Sequence, residues 1–295
     1  MQRQEQYDWL RLMWTNGLSF EMAKNLLSTI GLPELIFSSS YATLCRVVPD
    51  DVARRLCMRV DSEIDERIQK TIAWIESTPS ADLIALTDSR YPTSLLAVPQ
   101  PPLAFFVLGD SSYLSQPSVS LLGSSNPNQE GIELAREWAM TLSQSVVVVE
   151  TMSEGVERAA LQGVWKASQA RAILVSDEPL GESRASVIEA MSQRHLVVSL
   201  IGPFDEVGAE QRLELRNRLL VGLCSSFVLV QASIRSRALN FLREALDLNR
   251  NVMAIPGSIH SPLSKGPHCM IKYGARLVET TNEVLEEMRV KRFCL

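Results

Sequence analysis

Val119-Ser120-Leu121-Leu122 is a short, continuous apolar run, and Gly123-Ser124-Ser125-Asn126 follows it directly. Residues 130–142 then carry apolar side chains at helical spacing. A buried strand, a turn of small residues and a helix, in this order, make the first half of a βαβ unit. The stretch therefore predicts a parallel sheet that begins near residue 119.

Five similar apolar runs follow, each separated from the last by about 20–30 residues. They lie at residues 146–149, 172–175, 196–200, 227–230 and 252–255. The segments between them have helical periodicity, at residues 130–142, 156–168, 182–194, 210–224 and 236–248. This alternation predicts an α/β fold with a Rossmann-like, doubly wound, mostly parallel sheet. In such sheets ligands bind at the carboxyl ends of the strands.

The N-terminal quarter of the chain has a different pattern. Apolar side chains recur at helical spacing over residues 7–77, most clearly in the stripe formed by Ile64, Ile68, Ile72 and Ile75. Residues 78–80, Thr-Pro-Ser, have the composition of a linker. The sequence therefore predicts a small helical module over residues 1–77 and one Rossmann-like domain over residues 82–295.

Composition limits the class of protein. The 295 residues are 46% hydrophobic and 21% charged, which is normal for a globular protein with a core. The net charge of −5 counts against a broadly basic nucleic-acid binder, although a local basic patch is compatible with it. The five cysteines are scattered, the N-terminus is polar, and no apolar run reaches about 18 residues. We therefore expect a cytoplasmic protein with reduced thiols and no membrane span.

The turn Gly123, Ser124, Ser125 and Asn126 is the first candidate binding segment. A helix N-terminus offers unpaired N–H groups and the positive end of the helix dipole, which suits a phosphate. The turn matches neither a full G-x-G-x-x-G nor a Walker motif. An ordinary strand-to-helix turn explains it equally well.

Basic residues mark three further candidate segments. Arg216, Asn217 and Arg218 are expected at the start of an apolar helix, on the rim of the strand ends, although side chains at i and i+2 point apart. The other segments are Arg235-Ser236-Arg237, after the fifth run, and Lys265-Gly266, after the sixth. Charged loops that occur by chance are the alternative for each.

The turn after the second run is acidic, because Glu150, Glu154 and Glu157 surround it. Three carboxylates repel a phosphate, so we predict a solvated acidic rim that binds none and caps the following helix. The three histidines are isolated, and no nucleophile–base motif or metal-ligand spacing is present. The sequence thus predicts no catalytic residue, no metal and no cofactor.

Three groups of residues, in this order, carry a resemblance to a known family. They are YPTSLL at 91–96 with PPL at 101–103 and LG at 108–109; RNRLLVGLC at 216–224; and IPG at 255–257 with SKGPHCMI at 264–271 and GA at 274–275. Together they resemble the DprA/Smf family of bacterial DNA-processing proteins over nearly the whole chain. The helical N-terminal part is similar to the SAM-like module that precedes the Rossmann domain in many members.

The sequence departs from the family pattern at three turns. Ser125 stands where the family's G-S-R turn has its phosphate-binding arginine. ETMSEGVE at 150–157 replaces S-G-x-A-x-G-I-D, and Arg237 takes the glycine position of S-G-[SA]-L. We also expect no C-terminal winged-helix module, which some members have, because the sequence ends at Leu295.

The resemblance implies a protein that binds single-stranded DNA, helps to load a RecA-type recombinase and forms a homodimer through its Rossmann domain, without catalysis. Phosphates would contact the loop N–H groups, the four candidate arginines and Lys265. The aromatic candidates for base stacking, Trp165 and Tyr273, are expected in the core. Two alternatives remain: an adaptor that has lost DNA binding and acts through protein partners, and a sensor or enzyme for a nucleotide-like small molecule.

Overall fold

The computed structural model describes residues 1–180 and 185–290. The described chain begins with six helices, and Ser19 caps the second by accepting a hydrogen bond from the Met22 amide at 3.2 Å. The helices are α1 (Arg3–Met13), α2 (Phe20–Thr29), α3 (Pro33–Ser38), α4 (Tyr41–Leu44), α5 (Asp50–Cys57) and α6 (Ser62–Ser77). The predicted isoleucine stripe of α6 faces the interior, where Ile68, Ile72 and Ile75 are buried.

Nine strands form one sheet in the described residues, in the order β1-β2-β6-β5-β4-β3-β7-β8-β9. They are β1 (Ala81–Ala85), β2 (Ala104–Gly109), β3 (Ser118–Leu122), β4 (Val147–Thr151), β5 (Ala172–Val175), β6 (Leu196–Ser199), β7 (Ser226–Leu229), β8 (Asn251–Ala254) and β9 (Arg276–Leu277). All pairs from β6 to β9 are parallel, and only β1 and β2 run antiparallel to their neighbours. The predicted α/β fold with a mostly parallel sheet is confirmed.

Helices cover both faces of the sheet. They are α7 (Gln129–Leu142), α8 (Val156–Lys166), α9 (Ala185–Ser192), α10 (Ala209–Leu223), α11 (Arg237–Asp247), α12 (Lys265–Tyr273) and α13 (Thr281–Val290). One core lies under α7, α8, α9 and α13, and a second lies under α10, α11 and α12. The helix predicted over residues 182–194 is described only from Ala185, because residues 181–184 lie outside the described part. No helix of the described chain has the length and hydropathy to cross a membrane.

The strand order places a topological switch point between β3 and β7. From β3 the chain builds β4, β5 and β6 on one side, and it then crosses to β7 on the other side of β3. Crossovers that leave in opposite directions open a crevice outside the carboxyl ends of the two strands. The fold therefore provides a binding crevice after residues 122 and 229.

Strands β1, β2 and β9 were not predicted. The first two form an antiparallel pair, with Leu83 opposite Phe106, and β2 then joins β6. Only short 3-10 helices follow these strands, Thr93–Ala97 after β1 and Ser111–Ser115 after β2, so both strands fall outside the strand–α-helix–strand pattern on which the prediction relied. The third, β9, has only two residues, and both are exposed.

The helical module and the sheet share one hydrophobic core. Trp9 of α1 and Leu83 of β1 belong to the same buried cluster. In addition, the guanidinium of Arg67 in α6 is 2.5 Å from the carboxylate of Asp205 and lies 3.9 Å from the centre of the Trp14 ring. The division into residues 1–77 and 82–295 stays a prediction, since tight packing extends across it.

Candidate functional site

A cleft of about 480 Å³ opens at the switch point. We call it the switch-point cleft. Its walls are the turn after β3, the turn after β4 with the start of α8, one face of α10, and the loop that leads from β7 into α11. Of the candidate site residues it contains Gly123, Ser124, Ser125, Arg216, Asn217, Arg235, Ser236 and Arg237.

Gly123 and Gly155 allow the turns after β3 and β4 to touch. The Ser124 amide donates to the Gln231 carbonyl at 2.6 Å, and the Val156 amide donates to the Ser124 carbonyl at 3.2 Å. A Cβ atom at Gly123 would lie 2.5 Å from the Val156 Cγ2. Gly155 has φ +83°, and a Cβ atom there would lie 2.1 Å from the Ser124 carbonyl oxygen. The contact between the two turns therefore tolerates no side chain at residue 155.

Arg216 points into the cleft and is held there. Its side chain is 14% exposed, and its Nη1 donates to the Ser153 Oγ at 2.7 Å and lies 3.8 Å from the Asp177 carboxylate. Its Nη2 donates to the Asn217 Oδ1 at 3.1 Å. These contacts fix the guanidinium beside the N-terminus of α8, which is the geometry of a preorganised anion site.

The predicted place of Arg216, Asn217 and Arg218 at the start of a helix is wrong. Helix α10 begins at Ala209, so the triplet lies in its middle. The error arose because the continuous apolar run begins only after the triplet, at Leu219, although the helical periodicity over residues 210–224 already includes it. Arg216 and Asn217 nevertheless lie at the cleft, on one helical face with Leu213 and Leu220.

Arg218 lies on a different face of α10 from Arg216. It forms an ion pair with Glu214 at 2.9 Å and lines a second cavity, between α10 and α11, rather than the switch-point cleft. The rule that i and i+2 side chains point apart predicted this separation.

Arg235 and Arg237 supply the exposed positive charge of the cleft. Ser236, between them, caps α11 and accepts a hydrogen bond from the Ala238 amide at 3.3 Å. Within residues 1–180 and 185–290, neither arginine has an ion-pair partner. Both guanidinium groups therefore remain open to an anion in the cleft.

Besides Arg218, three candidate residues lie outside the cleft. Asn126 donates its amide to the Ser124 Oγ at 3.1 Å, and the Lys265 Nζ donates to the Ile259 carbonyl at 2.6 Å. Gly266 packs against the loop after β7, where an added Cβ would lie 2.5 Å from the Ala232 carbonyl oxygen. The structure does not bring these three residues together with the arginines.

The N-terminus of α7, predicted to face a phosphate, is occupied by protein groups. The Asn128 Oδ1 accepts from the Gly131 amide at 2.9 Å and from the Gln231 Nε2 at 2.8 Å. The helix that opens onto the cleft is instead α8, with Ser153, Glu154 and Glu157 around its first turn. Sequence reasoning missed Ser153 and Glu157, although Glu157 stands where the family pattern also has an acid.

Trp165 and Tyr273 were expected in the core, and this expectation is wrong. Their exposures are 37% and 53%, and neither lines the cleft. Each lies in the last turn of its helix, α8 or α12, and Tyr273 lies under the guanidinium of Arg243, 5.5 Å from the ring centre.

The prediction of a solvated acidic rim is also wrong. Glu150 belongs to β4, is 1% exposed, and accepts a hydrogen bond from the Leu121 amide at 2.8 Å. Burial raises the pKa of its carboxyl well above the ordinary value, which favours the neutral form of the group. Glu154 is exposed and lies 3.4 Å from Arg158. The argument that three ionised carboxylates exclude a phosphate therefore loses its premise.

Replacing Glu150 by glutamine should stabilise the protein above neutral pH. A carboxyl with a raised pKa in the folded state favours folding when protonated, and this contribution is lost as the pH rises above about 4.5, its ordinary value. Glutamine stays neutral and keeps an oxygen for the Leu121 amide. Urea unfolding at pH 8 should show Glu150→Gln to be more stable than the wild type by more than about 1 kcal/mol.

The same comparison at pH 5 should show a much smaller difference between Glu150→Gln and the wild type. Glu154→Gln, at an exposed position, serves as the control and should keep the pH dependence of the wild type. Equal pH dependence in Glu150→Gln and the wild type would contradict the assignment of a neutral, buried Glu150.

Several known proteins are similar in sequence to this chain. A family model described as DNA recombination-mediator protein A matches residues 82–289. The DNA processing protein DprA of Streptococcus pneumoniae is 29% identical over 206 residues, which cover 69% of this chain and 73% of the relative. Protein Smf of Escherichia coli is 28% identical over 291 residues, 95% of this chain and 74% of the relative.

Two solved structures share the fold. The X-ray structure of DprA from S. pneumoniae superimposes with a TM-score of 0.78 at 23% identity and covers 97% of this chain and 98% of that one. A structure of DprA from Helicobacter pylori, described for its single-stranded DNA binding mode, gives a TM-score of 0.61 at 19% identity and covers 71% and 97%. Together with the family match over residues 82–289, these likenesses confirm the resemblance seen in the sequence: the chain belongs to the DNA recombination-mediator protein A family, the DprA/Smf DNA-processing proteins.

Proposed function

We propose that this protein binds single-stranded DNA in the switch-point cleft through the phosphates of the DNA backbone. The observation that carries the proposal is that Arg216, Arg235 and Arg237 line one cleft together with the first turn of α8. Cations and helix amides hold phosphates without regard to base sequence. The single-stranded DNA binding mode described for the H. pylori relative supports the choice of ligand.

The distribution of arginines favours retained anion binding. Relative to the family pattern, Ser125 lacks an arginine and Arg237 adds one in place of a glycine. Both residues line the same cleft. The positive charge lost from the turn after β3 is thus present on the opposite wall, at the start of α11.

We extend the proposal to a non-catalytic role in the cytoplasm, in which a homodimer helps to load a RecA-type recombinase on single-stranded DNA. Family membership is the support for this wider role. The polar side chains of the cleft are arginines, glutamates, serines, a threonine and an asparagine. This set suits phosphate binding, whereas general-base activation of a nucleophile would need a base hydrogen-bonded to it.

A polarisation titration with a labelled oligothymidylate, in single-stranded and duplex form, tests the proposal. Three phosphate contacts on a single strand predict a slope of log affinity against log salt of about −2, or a loss of roughly tenfold to twentyfold between 50 and 200 mM salt. The adaptor or small-molecule alternative would be favoured if the protein bound no oligothymidylate, or if its binding did not depend on salt.

Replacing Ser125 by arginine should tighten DNA binding. Ser125 is exposed and lines the cleft, so an arginine there adds a charge-assisted hydrogen bond to phosphate and improves the affinity roughly tenfold. The salt slope should steepen by about 0.7. Asn126→Arg is the matched control, since it adds the same charge one residue outside the cleft. Equal effects of the two substitutions would show that only net charge matters.

A further inference from the structure

Glu157 is an acidic residue in the wall of the cleft. It lies in the first turn of α8, two residues after the N-cap Gly155, and its half-buried side chain lines the cleft beside Ser153 and Arg216. Among the described residues its carboxyl has no hydrogen-bond partner, and Arg216 is the cation that acts on it. Because Glu157 and Arg216 line the same cleft, a phosphate bound by Arg216 would lie close to this carboxyl.

The charged groups around Glu157 leave it short of positive charge. From β4, Glu150 lies buried close to it, and from the turn before α8 the exposed Glu154 lies 3.4 Å from Arg158. From α10, Arg216 is already engaged by Ser153 and by Asp177, which follows β5. Arg235 and Arg237, from the loop before α11 and its first turn, are exposed. Burial outweighs the attraction of Arg216 and raises the pKa of Glu157 to about 7.

We propose that Glu157 binds the DNA phosphate as a neutral carboxylic acid that donates its O–H to a phosphate oxygen. The inference rests on the proposed function, because it requires a phosphate in the cleft. Above neutral pH, the binding of DNA then takes up one proton from solvent for each occupied cleft, and this proton resides on Glu157. The residue is thus a binding residue whose protonation state determines the affinity for phosphate.

The sign of the pH dependence follows from the two forms of the carboxyl. The neutral acid donates a hydrogen bond, whereas the carboxylate has no proton to donate and repels the phosphate. A bound phosphate therefore raises the pKa of Glu157 further. Affinity should be constant well below pH 7 and should fall above it, by at most tenfold for each pH unit, until the pKa of the bound form is reached.

Dissociation constants of the full chain for a labelled oligothymidylate, measured at pH 6.0, 7.0 and 8.5 and at fixed ionic strength, test this inference. The phosphodiesters of the probe stay ionised throughout. The wild type should lose about tenfold in affinity between pH 7.0 and 8.5. Glu157→Gln, which keeps a neutral donor, should lose this dependence and bind about tenfold more tightly than the wild type at pH 8.5. Glu137→Gln, at an exposed position of α7 outside the cleft, is the control and should behave as the wild type.

Calorimetry of the wild type provides a readout that needs no variant. Titrations at pH 8 in buffers of different ionisation enthalpy measure protons taken up on binding, and the inference predicts uptake approaching one proton per cleft. No uptake, or unchanged pH dependence in a folded Glu157→Gln variant that still binds, would overturn the role of Glu157 alone. A wild type that binds no oligothymidylate at any pH would overturn the proposed function and this inference together.

Discussion

Arg216→Gln should weaken the binding of single-stranded oligonucleotides by roughly tenfold to a hundredfold, whereas Arg218→Gln should change it by less than about twofold. The first substitution removes a charge-assisted contact of about 1.5–3 kcal/mol. It also leaves the carboxylate of Asp177 without the guanidinium that now lies 3.8 Å away, so the cleft becomes more repulsive to phosphate. A polarisation titration at fixed salt measures both variants.

The two arginines form a matched pair. They lie two residues apart on α10 and carry the same charge, but Arg218 is paired with Glu214 and lines the neighbouring cavity between α10 and α11. Loss of long-range attraction would affect both variants equally. Equal weakening by the two substitutions would therefore show that DNA does not contact the cleft, provided that both variants melt at the temperature of the wild type.

Gly155→Ala should destabilise the protein by about 3 kcal/mol or more. The backbone of Gly155, at φ +83° and ψ −123°, lies in a region that costs a residue with a side chain roughly 1–3 kcal/mol. The new Cβ would also lie 2.1 Å from the Ser124 carbonyl oxygen and 2.6 Å from the Ser125 Cα, and both of these are backbone atoms that cannot rotate away. Urea unfolding measures the loss, and the turns after β3 and β4 should separate.

Substitutions at two other glycines separate the cost of backbone strain from the cost of the close Cβ contact. Gly274 has φ +120° but no atom within 4 Å of an added Cβ, so Gly274→Ala isolates the backbone strain. Gly208 has φ −64° and equally open surroundings, so Gly208→Ala should change stability by less than about 0.5 kcal/mol. If Gly155→Ala were no more destabilising than Gly274→Ala, the close contact of the two turns would be contradicted.

The sheet could be predicted from the sequence because each parallel strand is buried on both faces. Such a strand is a continuous apolar run, such as the valines before Glu150, and the helices between the runs fix the alternation. The pair β1 and β2 was not predicted because no α-helix lies between β1 and β2 or between β2 and β3. The end of β4 was not predicted for another reason. Glu150 and Thr151 belong to the sheet because they pair with β5, opposite Leu174 and Val175. The residue types alone do not show this register.

The candidate site was only partly predictable, because a sequence shows which residue types follow a strand but not the direction in which they point. Helical geometry separated Arg216 from Arg218 correctly, since it depends on spacing alone. The position of Lys265 depends on where α12 packs against the loop after β7, which is a tertiary property. The raised pKa of Glu150 likewise depends on its burial in the sheet, whereas its neighbours in sequence suggested an exposed turn.

A crystal structure of the full chain with a short oligothymidylate would show whether the switch-point cleft holds the phosphates of single-stranded DNA. We expect a backbone phosphate within hydrogen-bond distance of the Arg216 guanidinium, against the first turn of α8 and close to Arg235 and Arg237. Oligothymidylate bound elsewhere on the protein, with no phosphate in the cleft, would contradict DNA binding at this site.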